Sequence, residues 1–417
     1  MKKILITISI FLLIALSNTI YFVNADYVAI NSNNYKNIIM FIGDGMGPNH
    51  VDAGGVYLGK NLCFDVTDEN WTYHAYSNTD SRTSEGFTLD ETKSLLRPDL
   101  NPSLYDGTPS PYDEDVILGA SGNITSYTDS GAGGTALATG VKVTNSRIAM
   151  DIDGKPLETL VEIAKGLNKK TGVVTSDEIT GATPSDFLVH VASRYLQDEI
   201  LRGIATSKAD LVLAKTTSTY KNNKTYYDDL YKDYGYQVVN EKGALSKESE
   251  KIIGIFPGIA TKTDPRVYSL AELTVFALDY LDNEEGFFLM VEGSNIDKQS
   301  HANQAKQMLN ELLGFNEAIE AAMNWAEGRN DTLMVVTADH ETGALYYNKN
   351  TATKETIATD IKWLSQNHSR TRVDIAVYGD ISSFTKRFKN NCKTLEGLPY
   401  WDNTDIFRLC AWYLTNY

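Results

Sequence analysis

Cysteine is scarce in this chain of 417 residues: Cys63, Cys392 and Cys410 are its three. That number excludes a disulfide scaffold, leaving one bridge as the most an oxidising compartment would form, and Cys392 with Cys410 is the expected pair. No C-x-x-C pair occurs, so a cysteine-held zinc is excluded and any zinc falls to histidines and carboxylates. Positive charge is also in deficit, with 38 Lys and Arg against 54 Asp and Glu and a net charge of -16. Such a balance disfavours nucleic-acid backbones and anionic lipids as partners. An anionic substrate would then need a locally positive site, which bound metal ions can supply. There is no internal repeat, and apolar residues at 42% with charged residues at 22% describe an ordinary folded protein.

Long apolar runs are missing everywhere except at the start. Residues 2–25 read KKILITISIFLLIALSNTIYFVNA, with two lysines, an apolar run from Ile4 to Leu16, and the small residues Val23 and Ala25. This pattern predicts a signal peptide cut before Asp26, since the run is shorter than the roughly 20 residues that span a bilayer. Loss of Lys2 and Lys3 leaves 36 positive against 54 negative residues, a net charge of -18. Asn-x-Ser/Thr triplets at Asn70, Asn123, Asn223, Asn330 and Asn367 fit a secreted glycoprotein. The final RLCAWYLTNY is too short for the apolar tail that precedes lipid anchoring.

Four segments read as buried strands ending in polar residues: Asn37 to Asp44, Thr171 to Asp177, Gly286 to Glu292 and Thr332 to Asp339. Helical patterns separate them, notably from Pro156 to Leu167 and from Ala305 to Ala326. The alternation predicts a three-layer α/β/α sandwich with a large, mostly parallel central sheet. Residues 26–417 form a single domain on this reading, with surface insertions near 62–119 and 208–259. Ligands of open α/β sheets bind beyond the carboxyl ends of strands. Asp44, Glu292 and Asp339 stand at such ends.

Several residue groups carry candidate chemistry. Asp339-His340 closes a strand and offers an oxygen and an imidazole nitrogen, both zinc ligands, although a strand-end pair of this kind also makes a plain solvated turn. Asp297 and His301 are four apart, on one face of a helical turn. Asp44 lies in the glycine-flanked FIGDGMG, where backbone can approach a ligand closely. The run Thr128-Asp129-Ser130-Gly131-Ala132-Gly133-Gly134-Thr135 reads as a turn opening a helix. Ser130 at its start could be a simple cap, or a nucleophile beside a bound phosphate. No histidine lies nearby in sequence to activate it, and metal coordination would do so instead.

Together these residues resemble the alkaline phosphatase family, over a span from Asp44 to His368. The resemblance implies two zinc ions and a magnesium around Ser130. It implies that Asp297, His301 and His368 hold the first zinc, and Asp44, Asp339 and His340 the second, next to Ser130. Asp44, Thr183 of GATPSD and Glu292 would hold magnesium. Arg194 of HVASR would grip the phosphate as a planar fork, and Lys298 would reach it through water. The implied reaction is phosphomonoester hydrolysis through a phosphoserine, with small phosphomonoesters as substrates. A homodimer is expected only because the family commonly dimerises. The late histidine motif NHSRTRVDIAVYG argues against a sugar on Asn367.

Some positions depart from the family. Gly181, two before Thr183, stands where Asp or His is usual near magnesium, and Tyr127 replaces an aliphatic residue. The 27 residues between His340 and His368 leave no room for the crown insertion of animal members. The competing readings are a phosphodiesterase, sulfatase or phosphotransferase on the same scaffold, or a non-catalytic binder of metal or phosphate. The sulfatase run C-x-P-x-R is absent, since Cys63 is followed by Phe64-Asp65. Against the non-catalytic reading, Ser130, Arg194 and all six zinc-ligand candidates are present.

Overall fold

The computed structural model describes residues 35–65, 71–81, 127–261, 265–388, 393–395 and 398–416. The expected signal peptide, most of the 62–119 insertion, the triplets at Asn70 and Asn123, and Cys392 lie outside the described residues.

Eleven strands build the central sheet: Asn37–Gly43 (β1), Tyr73–Asn78 (β2), Lys170–Glu178 (β3), Leu211–Lys215 (β4), Gln237–Val239 (β5), Ile252–Phe256 (β6), Phe287–Gly293 (β7), Thr332–Thr337 (β8), Val373–Tyr378 (β9), Lys393–Leu395 (β10) and Leu398–Asp402 (β11). Their order is β10-β11-β2-β9-β8-β1-β7-β3-β4-β6-β5. The seven from β8 to β5 are mutually parallel. β9 runs against them, β2 and β11 run with them again, and β10 reverses.

The continuous apolar runs have the physical cause expected of a parallel sheet, helices on both faces. In β1, Ile38, Met40 and Ile42 point into one core and Ile39 and Phe41 into the other. Strand β8 divides in the same way, Leu333 and Val335 against Met334 and Val336. One face is covered by helices that include Ser130–Thr139, Leu160–Gly166 and Asn403–Thr415. The other is covered by Pro48–Leu58, Leu270–Leu281 and Ala305–Ala326. The last of these buries Met308, Leu312, Phe315, Ile319, Ala322 and Ala326, a strict alternation of three- and four-residue steps along one side. Helix Leu160–Gly166 starts four residues later than its apolar pattern because Thr159 caps it, with Glu162 closing the capping box.

Two expectations change. The stretch 208–259, read as a surface excursion, supplies β4, β5 and β6, one whole flank of the sheet. Its tyrosines Tyr220, Tyr227, Tyr231 and Tyr236 are buried under that flank and do not decorate the surface. The polar, aromatic segment between the strands masked two buried five-residue strands, LVLAK and IIGIF. Cys410 carries a free thiol, fully buried in Asn403–Thr415, so the expected bridge to Cys392 is not made. Among the described residues no helix is long and apolar enough to cross a membrane.

Phe41 at the middle of the sheet meets Phe315 edge-on at 6.1 Å between ring centroids, and Phe315 meets Phe64 at 6.0 Å. Phe41→Ala is expected to cost about 3–5 kcal/mol through lost burial and a residual cavity. Val275→Ala, at a side chain 44% exposed, should stay within about 0.5 kcal/mol. Denaturant unfolding midpoints of the two variants check the difference.

Candidate metal and phosphate site

In-register parallel pairing sets the site. Ile42 stands beside Glu292 and Thr337 on its two neighbours, and Glu292 beside Thr175. The chain therefore delivers Asp44, Glu292 and the Asp339-His340 pair to one edge of the sheet. All four are buried, as are Thr183 and Ser130. Gly45 adopts φ +71°, in the left-handed region, and a Cβ there would lie 2.9 Å from Asp297 Oδ1, so glycine lets the turn after Asp44 close onto the next group.

Two triads of ligand-type atoms form, each within 4.8 Å: Asp297, His301 and His368, and Asp44, Asp339 and His340. In the first, His301 Nε2 is 3.3 Å and His368 Nε2 3.6 Å from Asp297 Oδ1. In the second, His340 Nε2 is 3.2 Å from Asp339 Oδ2 and 3.5 Å from Asp44 Oδ1. The triads adjoin, with the rings of His340 and His368 stacked at 3.6 Å. Each imidazole is oriented through its other nitrogen. His368 Nδ1 lies 2.6 Å from the Thr128 carbonyl, His301 Nδ1 2.5 Å from the Gln366 carbonyl, and His340 Nδ1 3.3 Å from Thr342 Oγ1. That arrangement leaves all three Nε2 atoms facing inward, as metal-binding histidines require. His368 arrives from far along the chain because His368–Ser369 pairs with Glu341–Thr342, Thr342 standing opposite His368.

Several oxygens of the site have no hydrogen-bond partner. Asp339 Oδ1 accepts from the backbone N–H groups of Gly45 (3.2 Å) and His340 (3.1 Å), whereas its Oδ2 is buried without a hydrogen-bond partner. The same holds for Asp44 Oδ1, Glu292 Oε1 and Thr183 Oγ1. Burial and then Asp339 push the Asp44 carboxyl well above its usual range. Burial pushes the His340 imidazole well below its usual value, helped by His368, so it is neutral. Buried carboxylates with unmet oxygens beside neutral imidazoles are a donor set suited to divalent cations.

Ser130 opens the helix Ser130–Thr139, but the cap is Asp129, whose carboxylate accepts from Ala132 N at 3.0 Å. The Ser130 hydroxyl is therefore not used as a cap, and it stands 3.3 Å from His340 Nε2. Asp129 also accepts from Ser146 N at 3.0 Å and pairs with Arg194 Nη1 at 3.1 Å, holding the guanidinium beside the helix start. Lys298 makes an ion pair with Asp177, at the end of β3. The structure thus gathers every candidate: Asp44, Asp339 and His340 with Ser130; Asp297, His301 and His368; and Arg194, Lys298, Thr183 and Glu292 around them. Sequence reasoning missed Asp129, Asp177 and Thr342. The first two carried a signal, as the residue before a helix start and the polar end of a buried strand. Thr342, which donates to Asp297 Oδ1 at 2.5 Å, had none.

A family model described as alkaline phosphatase matches residues 119–218 and 206–394. Alkaline phosphatase 4 of Bacillus subtilis (strain 168) is 38% identical over 228 residues, covering 52% of this chain and 50% of that protein. Alkaline phosphatase 3 of the same strain is 31% identical over 328 residues, covering 75% and 62%. The chain thus spans about half to three-fifths of the length of these relatives. Among solved structures, a variant of the alkaline phosphatase of the Antarctic bacterium TAB5 with Mg bound in the M3 site superposes with a TM-score of 0.65 at 24% identity, over 91% of this chain and 98% of that one. That likeness is one of fold.

Without cations, the folded site holds protons that the unfolded chain releases. Burial and Asp177 push Glu292 up to about 8, and burial and Asp297 push Asp339 up to about 7. The folded state then binds more protons across this range, so stability falls as pH rises towards 8. His340 and His368 are pushed down by burial and act in the opposite sense, but only below about 6.5, where the unfolded imidazole takes up a proton. Chelator-treated protein should lose thermal stability between about pH 6.5 and about pH 8.5, and protein reloaded with a divalent cation should not. Circular-dichroism melts across that range check it, and a flat profile for the chelated protein contradicts it.

Proposed function

The chain belongs to the alkaline phosphatase family, and on that footing we propose that it hydrolyses phosphate monoesters at a site of two zinc ions and one magnesium, with Ser130 as nucleophile. The single observation that carries this reading is the Ser130 hydroxyl standing 3.3 Å from His340 Nε2 in the Asp44, Asp339 and His340 triad, with Arg194 held beside the same helix start. Asp297, His301 and His368 are the proposed holders of the first zinc, and Asp44, Asp339 and His340 of the second. Asp44, Thr183 and Glu292 are the proposed magnesium set, which the Mg in the TAB5 variant supports by analogy. When bound, the cations polarise the phosphoryl group and ease deprotonation of serine and water.

The chain's own residues account for the rest of the chemistry. The amino end of the helix Ser130–Thr139 favours an anion, so the phosphoryl group rests against Ser130. Arg194 offers the phosphate its planar fork, while Asp129 fixes the guanidinium through Nη1. Ser130 Oγ forms a bond to phosphorus as the bond to the ester oxygen breaks, and the alcohol leaves with a proton. One water then attacks the phosphoserine, releasing inorganic phosphate and restoring the serine hydroxyl. Burial keeps His340 neutral, so its Nε2 lone pair stays available at the centre. Export is proposed on the charge and apolar pattern of residues 2–25.

Ser130→Ala should reduce hydrolysis of a chromogenic phosphate monoester to background. Arg194→Ala should lower kcat/KM by about a hundredfold or more, the scale of losing one stabilising donor. Chelation should abolish turnover of the wild type and added zinc should restore it. Full turnover by Ser130→Ala, or chelator-insensitive turnover, overturns the proposal.

A further inference from the structure

The proposed magnesium set has a gap at position 181. Gly181, two residues before Thr183, has no side chain to order the waters that magnesium retains. The backbone does not demand glycine there, since Gly181 has φ -54° and ψ 147°, open to any residue. The space demands it. A Cβ on Gly181 would lie 2.5 Å from Asp177 Oδ2 and 2.8 Å from its Cγ. The carboxylate of Asp177, four residues earlier, fills the volume through which a side chain at 181 would leave.

Asp177 is also wired into the site. Its backbone N–H donates to Thr175 Oγ1 at 2.8 Å, and Thr175 Oγ1 in turn donates to Glu292 Oε2. Its Oδ1 takes both the Glu178 N–H, at 2.6 Å, and the Lys298 ammonium. The side chain is largely buried, 11% exposed. Glu292 Oε1 and Thr183 Oγ1 are buried with no hydrogen-bond partner. Asp177 is thus tied through Thr175 to the carboxyl group that carries one of these orphaned oxygens, and its side chain is paired with Lys298.

We infer that Asp177 supplies, from the end of β3, the carboxylate of the third cation site that position 181 lacks, and that it fixes Lys298 beside that site. The inference rests on the three-cation reading above. Asp177 acts as a positioning residue, accepting hydrogen bonds from waters of the bound ion while Thr183, Glu292 and Asp44 hold the ion itself. Gly181 and Asp177 are then two halves of one exchange, in which the carboxylate has moved along the chain while staying at the same place in space.

The test uses the full-length protein loaded with zinc, as wild type, Asp177→Asn, Asp177→Ala, Gly181→Asp, and the double variant Asp177→Ala with Gly181→Asp. Magnesium affinity is read by calorimetric titration, and zinc and magnesium per chain by elemental analysis of the same samples. Asp177→Asn, which preserves shape, should bind magnesium about ten- to a hundredfold more weakly, the usual effect of losing an outer carboxylate, with zinc content unchanged. Gly181→Asp alone should bind no more tightly than wild type, because two carboxylates then crowd one position. The double variant should recover most of the affinity. Wild-type magnesium affinity in Asp177→Asn, no recovery in the double variant, or no magnesium binding by zinc-loaded wild type overturns the inference and leaves the two-zinc, Ser130 reading standing. A wild type that takes up no zinc overturns that reading and the inference with it.

Discussion

Buried carboxylates that each leave one oxygen without a donor are the constraint on which the rest of this molecule depends. Asp44, Glu292 and Asp339 end adjacent central strands or follow them directly, and each leaves one oxygen buried without a hydrogen-bond partner. Burial of one ionised carboxylate is costly, and close burial of several is tolerable only if protons or cations neutralise them. The flanking groups are organised for the second solution. Three imidazoles present Nε2 inward because their Nδ1 atoms are engaged by carbonyls or a hydroxyl, which selects position as well as tautomer.

The sheet makes that concentration of charge possible. Neighbouring parallel strands end level with one another, so residues distant in sequence arrive within a few ångströms at one edge. Two helical faces cover the sheet and exclude water from its length, which strengthens the field at the open end. The helix carrying Ser130 then brings amides to a place that is otherwise strongly negative. Asp129 has three tasks there: it caps the helix, ties down Ser146 and anchors Arg194. Because it does the capping, the neighbouring serine hydroxyl is left for chemistry.

Much of this was legible in sequence for identifiable reasons. Buried parallel strands are continuous apolar runs, so β1, β3, β7 and β8 stood out, and the polar residues ending them marked the functional edge. The long helix Ala305–Ala326 declared itself by period. The flank formed by β4, β5 and β6 did not, because its strands are three to five residues long and sit among polar and aromatic segments whose tyrosines bury themselves. Cys410 is a free thiol, fully buried within its helix, and Cys392 lies outside the described residues.

By itself the sequence determined the chemistry on offer: carboxylates and histidines without cysteine pairs, a serine at a helix start, and strands whose ends could bear ligands. These are local properties, set by side-chain type and by the periodicity of apolar residues. Tertiary structure decided which of those groups share a volume. His368 reaches His340 only through a two-residue strand pairing, and Thr342 touches Asp297 only because the chain turns back after His340. Asp177 lies against Gly181 only because the end of β3 and the following turn fold onto each other. A missing side chain at one position and an extra carboxylate at another look unrelated along the chain. They become one site because charge and excluded volume act over distances in space.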